Sequence, residues 1–177
     1  MRIIRGTLKG RKINAPNSIK ARPTTDFAKE SLFNILENTI NLEDKQVLDL
    51  FTGTGNISFE FASRGAKKII SIDINYSSIK FVNQTAEKLN LPVKASKIDV
   101  FKYLKISKEK FDIIFADPPY QSNRIKEIPE MIFNSGILNK SGILILEHGF
   151  ENDFSLHKNL IDKRTYSRVN FSFFKAL

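Results

Sequence analysis

Four short, largely apolar runs, residues 46–51, 68–72, 111–116 and 142–146, together with a shorter strand-like segment over 93–98, constrain this chain more than any other feature. Each is about the length of a buried strand and too short for a stable helix. Between them apolar residues recur at helical spacing, most clearly Ile79, Val82, Ala86 and Leu89. Strands that alternate with helices cannot be joined by tight hairpins. Each crossover returns the chain in the same direction, which builds a parallel sheet with helices on both faces. Two further strands are expected near the end of the chain, over 161–166 and 169–174. A closely spaced pair of that kind adds an antiparallel strand. The expected fold is therefore α/β: a Rossmann-like, doubly wound, mostly parallel seven-stranded sheet.

Ahead of this pattern, residues 2–14 read as a β-hairpin, with Gly6 and Gly10 placed for the turn. Residues 15–23 carry two prolines and no periodicity, and read as a linker. A helix is expected from about Thr25, capped by Thr24 or Thr25, with Asp26 in its first turn. The expected division is a hairpin and linker over 1–23 and one larger domain over 24–177.

The net charge of +9 is unevenly spread. Residues 1–30 carry eight basic and two acidic side chains, and 157–177 five basic and one acidic, around a near-neutral middle. Cations gathered at both ends suit a polyanion such as nucleic acid; solvated lysines on an ordinary surface are the plainer alternative. The chain has no cysteine, which excludes disulfides, thiolate metal sites and a cysteine nucleophile. With His148 and His157 as the only histidines, no metal site is expected. No apolar run approaches the ~18 residues of a membrane span, and the N-terminus lacks a signal-like apolar core. The expectation is a soluble, cytoplasmic protein.

Four of the expected strands carry an aspartate at or just beyond their end, and such ends meet at one edge of a parallel sheet. Asp49-Leu-Phe-Thr-Gly53-Thr-Gly55 closes the first. Its glycines allow close backbone approach to a ligand, which fits a dinucleotide, S-adenosylmethionine or a plain tight turn. Asp49 favours the second, because a carboxylate repels a pyrophosphate and attracts an ammonium. Ser58 also stands where a dinucleotide fingerprint has its third glycine. Asp73 could accept both hydroxyls of a ribose. Asp99 could accept from an adenine amine beside the Val100 amide, or cap the following helix. Asp117-Pro-Pro-Tyr120 closes the fourth. Two prolines fix the backbone and remove two donors, leaving the Asp117 carboxylate and the Pro118 carbonyl as rigid acceptors beside the flat face of Tyr120. Such a set suits a planar base bearing an NH₂ group. Gripping both amine hydrogens would turn the nitrogen lone pair toward an electrophile.

Together, DxFxGxG, the acidic residues at 73 and 99 and DPPY resemble class I S-adenosylmethionine-dependent amino methyltransferases. MRIIRGTLKGRKI followed by RPTTDFAKESLFNIL is similar to the RsmD family, the bacterial 16S rRNA guanine-N2 methyltransferases. The resemblance covers essentially the whole chain. It departs at Arg5, where glycine is expected, and at Thr52 and Thr54, where smaller residues are usual.

The resemblance implies S-adenosyl-L-methionine as cofactor. Asp49, Phe51, Gly53 and Gly55 would cradle its methionine end, Asp73 its ribose, and Ile74, Asp99 and Val100 its adenine. Asp117, Pro118 and Tyr120 would hold the guanine. Arg5, Arg11, Lys12, Arg22, Thr24 and Thr25 would face RNA. The implied partner is 16S rRNA within an assembled or assembling small subunit, met by a monomer without metal or membrane. An adenine-N6 methyltransferase, or an inactive RNA-binding or assembly protein on the same fold, are the alternatives.

Overall fold

The computed structural model describes residues 1–19, 25–166 and 169–176. Helix α1 (Asp26–Thr39) starts where Thr25 Oγ1 accepts from the Ala28 amide at 3.1 Å. Strands β1 (Gln46–Leu50), β2 (Lys68–Asp73), β3 (Val93–Lys97) and β4 (Phe111–Ala116) follow the apolar runs. Between them lie α2 (Asn56–Ser63), α3 (Tyr76–Lys88) and α4 (Val100–Ile106). A 3₁₀ turn over Ile125–Glu127 and helix α5 (Ile128–Ser135) connect β4 to the next strand. Pro129, which suits only a first turn, marks the start of α5.

Strand β5 (Leu138–His148) begins earlier than Gly142 suggested, because exposed polar residues at 140–141 hide its first turn of pairing. Strands β6 (Leu160–Tyr166) and β7 (Val169–Lys175) form the expected pair. The seven strands lie in the order β3-β2-β1-β4-β5-β7-β6. β7 runs antiparallel to both neighbours, and the other pairings are parallel.

Side chains alternate across the sheet. Val47, Ile69 and Phe115 join Leu32, Phe33, Phe59 and Val82 on one face. Leu48, Leu50 and Ile114 join Val100, Leu104, Ile128 and Ile132 on the other. The buried side chains of the two clusters cover both faces of the sheet, as crossover connections require.

The N-terminal segment turns back as a hairpin, but without two regular strands. One bridge, Arg2–Lys12, is flanked by the Ile3–Arg11 and Ile13–Met1 backbone bonds. Anchoring to the body replaces the missing ladder. Ile3 and Ile13 are buried in the first cluster. The Glu60 carboxylate accepts from the Ile4 and Arg5 amides at 2.9 and 3.0 Å, and Thr7 N donates to Ser63 O at 2.7 Å. Gly6 has φ +85°, and a Cβ there would lie 1.8 Å from the Ser63 carbonyl oxygen. Lys29, counted in the sequence among the cations free to meet a polyanion, is fully buried instead. Its Nζ donates to Arg2 O at 2.6 Å and to Asn56 Oδ1 at 2.8 Å, and lies 3.2 Å from Glu60. Burial lowers its pKa, opposed by the charge of Glu60.

Candidate active site

From β1 the sheet is built outward in two directions, toward β2–β3 and toward β4–β5. The crevice at such a reversal, beyond the carboxyl ends of the strands, is where α/β sheets bind ligands. Here it holds a cavity of about 540 Å³. All four strand-end aspartates, Asp49, Asp73, Asp99 and Asp117, line it. So do Phe51, Gly53, Ile74 and Val100, and on the β4 side Pro118 and Tyr120. The sequence thus placed most of its candidate ligand-binding residues around one space.

Asp49 is the most constrained of them, being 1% exposed. Its Oδ2 accepts from Thr52 Oγ1 at 2.6 Å and from Ser58 Oγ at 2.5 Å, and Ser58 lies 2.7 Å from Ser71 Oγ. Burial pushes its pKa up from 3.8 to about 6, against the pull of the two hydroxyl donors, with the nearby Asp73 charge adding to the rise. A buried carboxylate held this way gains from any cation that reaches it. Thr52, a departure from the family pattern, therefore supplies one of the hydroxyls that hold Asp49.

Asp73 spans the turn. Its Oδ2 accepts from Gly53 N and its Oδ1 from Asn75 N, both at 2.8 Å. Each oxygen keeps a lone pair for a further donor, which suits a vicinal diol. Asp99 caps α4, its Oδ1 accepting from Lys102 N at 2.9 Å, while the residue also lines the cavity. Phe51 sits at φ +63°, a left-handed conformation that costs a non-glycine residue about 1 kcal/mol. Its ring meets Phe101 edge-on at 6.2 Å, and the Arg124 guanidinium covers Phe101 at 3.7 Å. At the end of β4 the Asp117 amide donates to Leu50 O at 3.3 Å, tying the DPPY turn to β1. Pro118 is buried, and Tyr120 OH lies 3.4 Å from Glu147 Oε1 at the end of β5.

Gly55 is placed differently from expectation. It does not line the cavity; it precedes α2 at φ +74°, and a Cβ would meet Val82 Cγ2 at 2.9 Å and Phe59 at 3.0 Å. Glycine is required there for packing. Of the residues expected to face RNA, Arg5, Arg11, Lys12 and Thr25 do not line the cavity. Arg11 and Lys12 are exposed on the hairpin, Arg5 donates to Glu37 at 3.0 Å, and Thr25 caps α1. Arg22 and Thr24 lie outside the described residues. Sequence reasoning missed Ile19, Asn56 and Gln121 in the cavity wall, and Glu147 behind Tyr120. No local pattern marks these four; Ser58 alone carried a signal, at the third-glycine offset.

Among the described residues no three His, Cys, Asp or Glu side chains gather to hold a metal ion, and no helix is long and apolar enough to cross a membrane. Residues 1–175 match the family described as "Conserved hypothetical protein 95". The chain is 33% identical over 156 residues to "Putative rRNA methyltransferase YlbH" of Bacillus subtilis (strain 168), covering 85% of this chain and 84% of that one. It is 31% identical over 173 residues to "Ribosomal RNA small subunit methyltransferase D" of Escherichia coli (strain K12), covering 91% and 84%. The solved "Putative methyltransferase yhhF from Escherichia coli" superposes with a TM-score of 0.87 at 25% identity, over 100% of this chain and 99% of that one. Matched along nearly its whole length, and carrying the hairpin, the strand-end aspartates and DPPY in one arrangement, the chain belongs to the RsmD family.

Proposed function

We propose that this chain transfers a methyl group from S-adenosyl-L-methionine to the exocyclic N2 amine of a guanine in small-subunit ribosomal RNA. The observation that carries the reading is that DPPY opens on the same cavity as Asp49, Asp73 and Asp99. One wall then offers carboxylates for a cationic, diol-bearing nucleoside, and the other offers acceptors for an amine.

The residues present fit that cofactor. The cavity lies within the ~300–1,000 Å³ typical of small-molecule sites. Asp49 is held inside it as a buried acceptor facing a cationic end, and the Asp73 oxygens retain capacity for ribose hydroxyls. Asp99, Val100 and Ile74 line the same cavity; in this reading the first two meet the adenine edge and Ile74 its face. When bound, S-adenosylmethionine supplies a methyl group activated by its sulfonium.

The rest is done by this chain's own groups. The Asp117 carboxylate and Pro118 carbonyl accept the two hydrogens of the guanine amine and set the direction of its lone pair. Tyr120 stacks on the base and is steadied by Glu147. Rigid acceptors lower the barrier by orientation and by a field already in place. The target guanine must leave its stack to reach them. The Arg11 and Lys12 side chains of the hairpin hold phosphates, so activity falls as salt rises. In this reading the enzyme is a cytoplasmic monomer, and its substrate is an assembled or assembling small subunit.

Labelled cofactor offered to small-subunit particles, naked rRNA and DNA tests the proposal, with the labelled nucleoside identified after digestion. N2-methylguanosine from rRNA is the expected product. Label on adenine, or in DNA alone, overturns the substrate; an absence of cofactor binding by calorimetry points to an assembly protein instead.

A further inference from the structure

We infer that Phe27 and Tyr166 form a base-stacking platform for the RNA strand that flanks the target nucleotide, an inference that rests on the RNA reading above. Phe27 is 66% exposed in the first turn of α1. It lies off the apolar face formed by Ala28, Leu32, Phe33 and Leu36, so packing does not explain it. Its ring meets Tyr166 edge-on at 6.1 Å, and Tyr166 in turn lies 6.1 Å from the fully buried ring of Phe171. An aromatic ladder therefore runs from the core to solvent and ends on an open π-face.

Strand register puts this ladder on the catalytic edge of the sheet. Ala116 of β4 pairs with Leu146 of β5, Glu147 with Phe171 of β7, and Tyr166 of β6 with Val169 of β7. Tyr166 thus stands three strands from the DPPY turn along the same edge, about 15 Å at the spacing of adjacent strands. That is within reach of nucleotides a few positions from a flipped guanine.

The surroundings favour a polyanionic strand over an apolar partner. Phe27 stands on α1 next to exposed Asp26 and three residues before exposed Glu30, with Tyr166 as its aromatic neighbour. The exposed Arg2 guanidinium lies 3.5 Å from Asp26 and neutralises it, and the Arg2 backbone pairs with that of Lys12, an exposed cation of the hairpin. Flat rings for bases beside cations for phosphates are the pairing by which single-stranded nucleic acid is held.

Phe27→Leu and Phe27→Tyr, compared with the wild-type chain, test the platform. Leucine keeps apolar bulk and loses the flat ring; tyrosine keeps the ring. Fluorescence anisotropy with a labelled single-stranded RNA oligonucleotide reads binding, and methylation of small-subunit particles reads KM and kcat. The expected result is about ten-fold weaker RNA binding and a matching rise in KM for Phe27→Leu. Phe27→Tyr should stay near wild type, with the cofactor Kd and the salt dependence of RNA binding unchanged in both. Equal RNA binding by Phe27→Leu and wild type overturns the platform. So does sedimentation showing a wild-type dimer that Phe27→Leu dissociates, which makes the ring a contact between copies. Ring-dependent RNA binding without methyl transfer leaves the platform standing and sinks the methylation reading.

Discussion

Replacing Asp49 with asparagine separates what this residue does for binding from what it does to stability. Burial lifts its carboxyl from 3.8 to about 6 in the folded chain. That displacement corresponds to about 3 kcal/mol working against the ionised native state at pH 8. Between pH 4 and 6 the folded chain keeps a proton that the unfolded chain has released. Wild-type stability from this source is therefore full below pH 4 and falls as pH rises toward 6. Asparagine does not titrate, and its side-chain oxygen can accept the same Thr52 and Ser58 hydroxyls. Urea unfolding at pH 4 and pH 8 should show Asp49→Asn gaining about 3 kcal/mol on wild type across that interval. Calorimetry should show the reverse for function: weaker S-adenosylmethionine binding by the variant, and wild-type affinity dropping about ten-fold per pH unit below 6. If the variant and wild type lose stability in parallel across the interval, the buried carboxylate is not the source of the effect.

Asp117→Ala should reduce methyl transfer by about two orders of magnitude or more while calorimetry finds cofactor affinity unchanged; a normal rate would remove its role as amine acceptor. Glu60→Ala leaves the Lys29 ammonium buried without its carboxylate and should lower unfolding free energy by about 3–5 kcal/mol in urea titration. An unchanged midpoint would show that Lys29 is not held as a charge. Gly6→Ala forces a Cβ onto the Ser63 carbonyl and should free the hairpin, read as faster proteolytic cleavage within the first 15 residues. Cleavage at the wild-type rate would mean the clamp gives without loss. Replacing Arg11 and Lys12 together with alanine should flatten the log–log salt dependence of RNA binding by about 0.7 for each phosphate no longer neutralised. An identical slope would place the phosphate grip elsewhere.

Strand ends were legible in the sequence because a parallel sheet imposes two simple signals, short apolar runs and helical spacing between them. Asp49, Asp73, Asp99 and Asp117 could be gathered into one site from topology alone, since every parallel strand ends on the same edge. What escaped was set by pairings distant in sequence. The Asp49–Ser58–Ser71 chain crosses from β1 to α2 to β2, and no local pattern announces it. Lys29 reads as surface charge on a helix until Glu60, thirty-one positions on, is seen beside it. Gly55 looked like a ligand contact because a glycine-rich turn serves both packing and binding, and only the position of Val82 tells them apart. The hairpin was read as two strands from its glycines. Its order comes instead from contacts with α2, which leave it little ladder of its own.

β7 is the last strand along the chain but not the last across the sheet: β5 lies on one side of it and β6 on the other. A nascent chain that stops before Val169 therefore has no place for β6, which would be left with no neighbour. It also bares the edge of β5 along 143–148, a row of unpaired backbone groups beside apolar side chains. Such an edge recruits other chains. Incomplete synthesis should thus yield aggregates rather than a slightly shortened folded chain, and the β7 segment acts as the seal over the β5 edge.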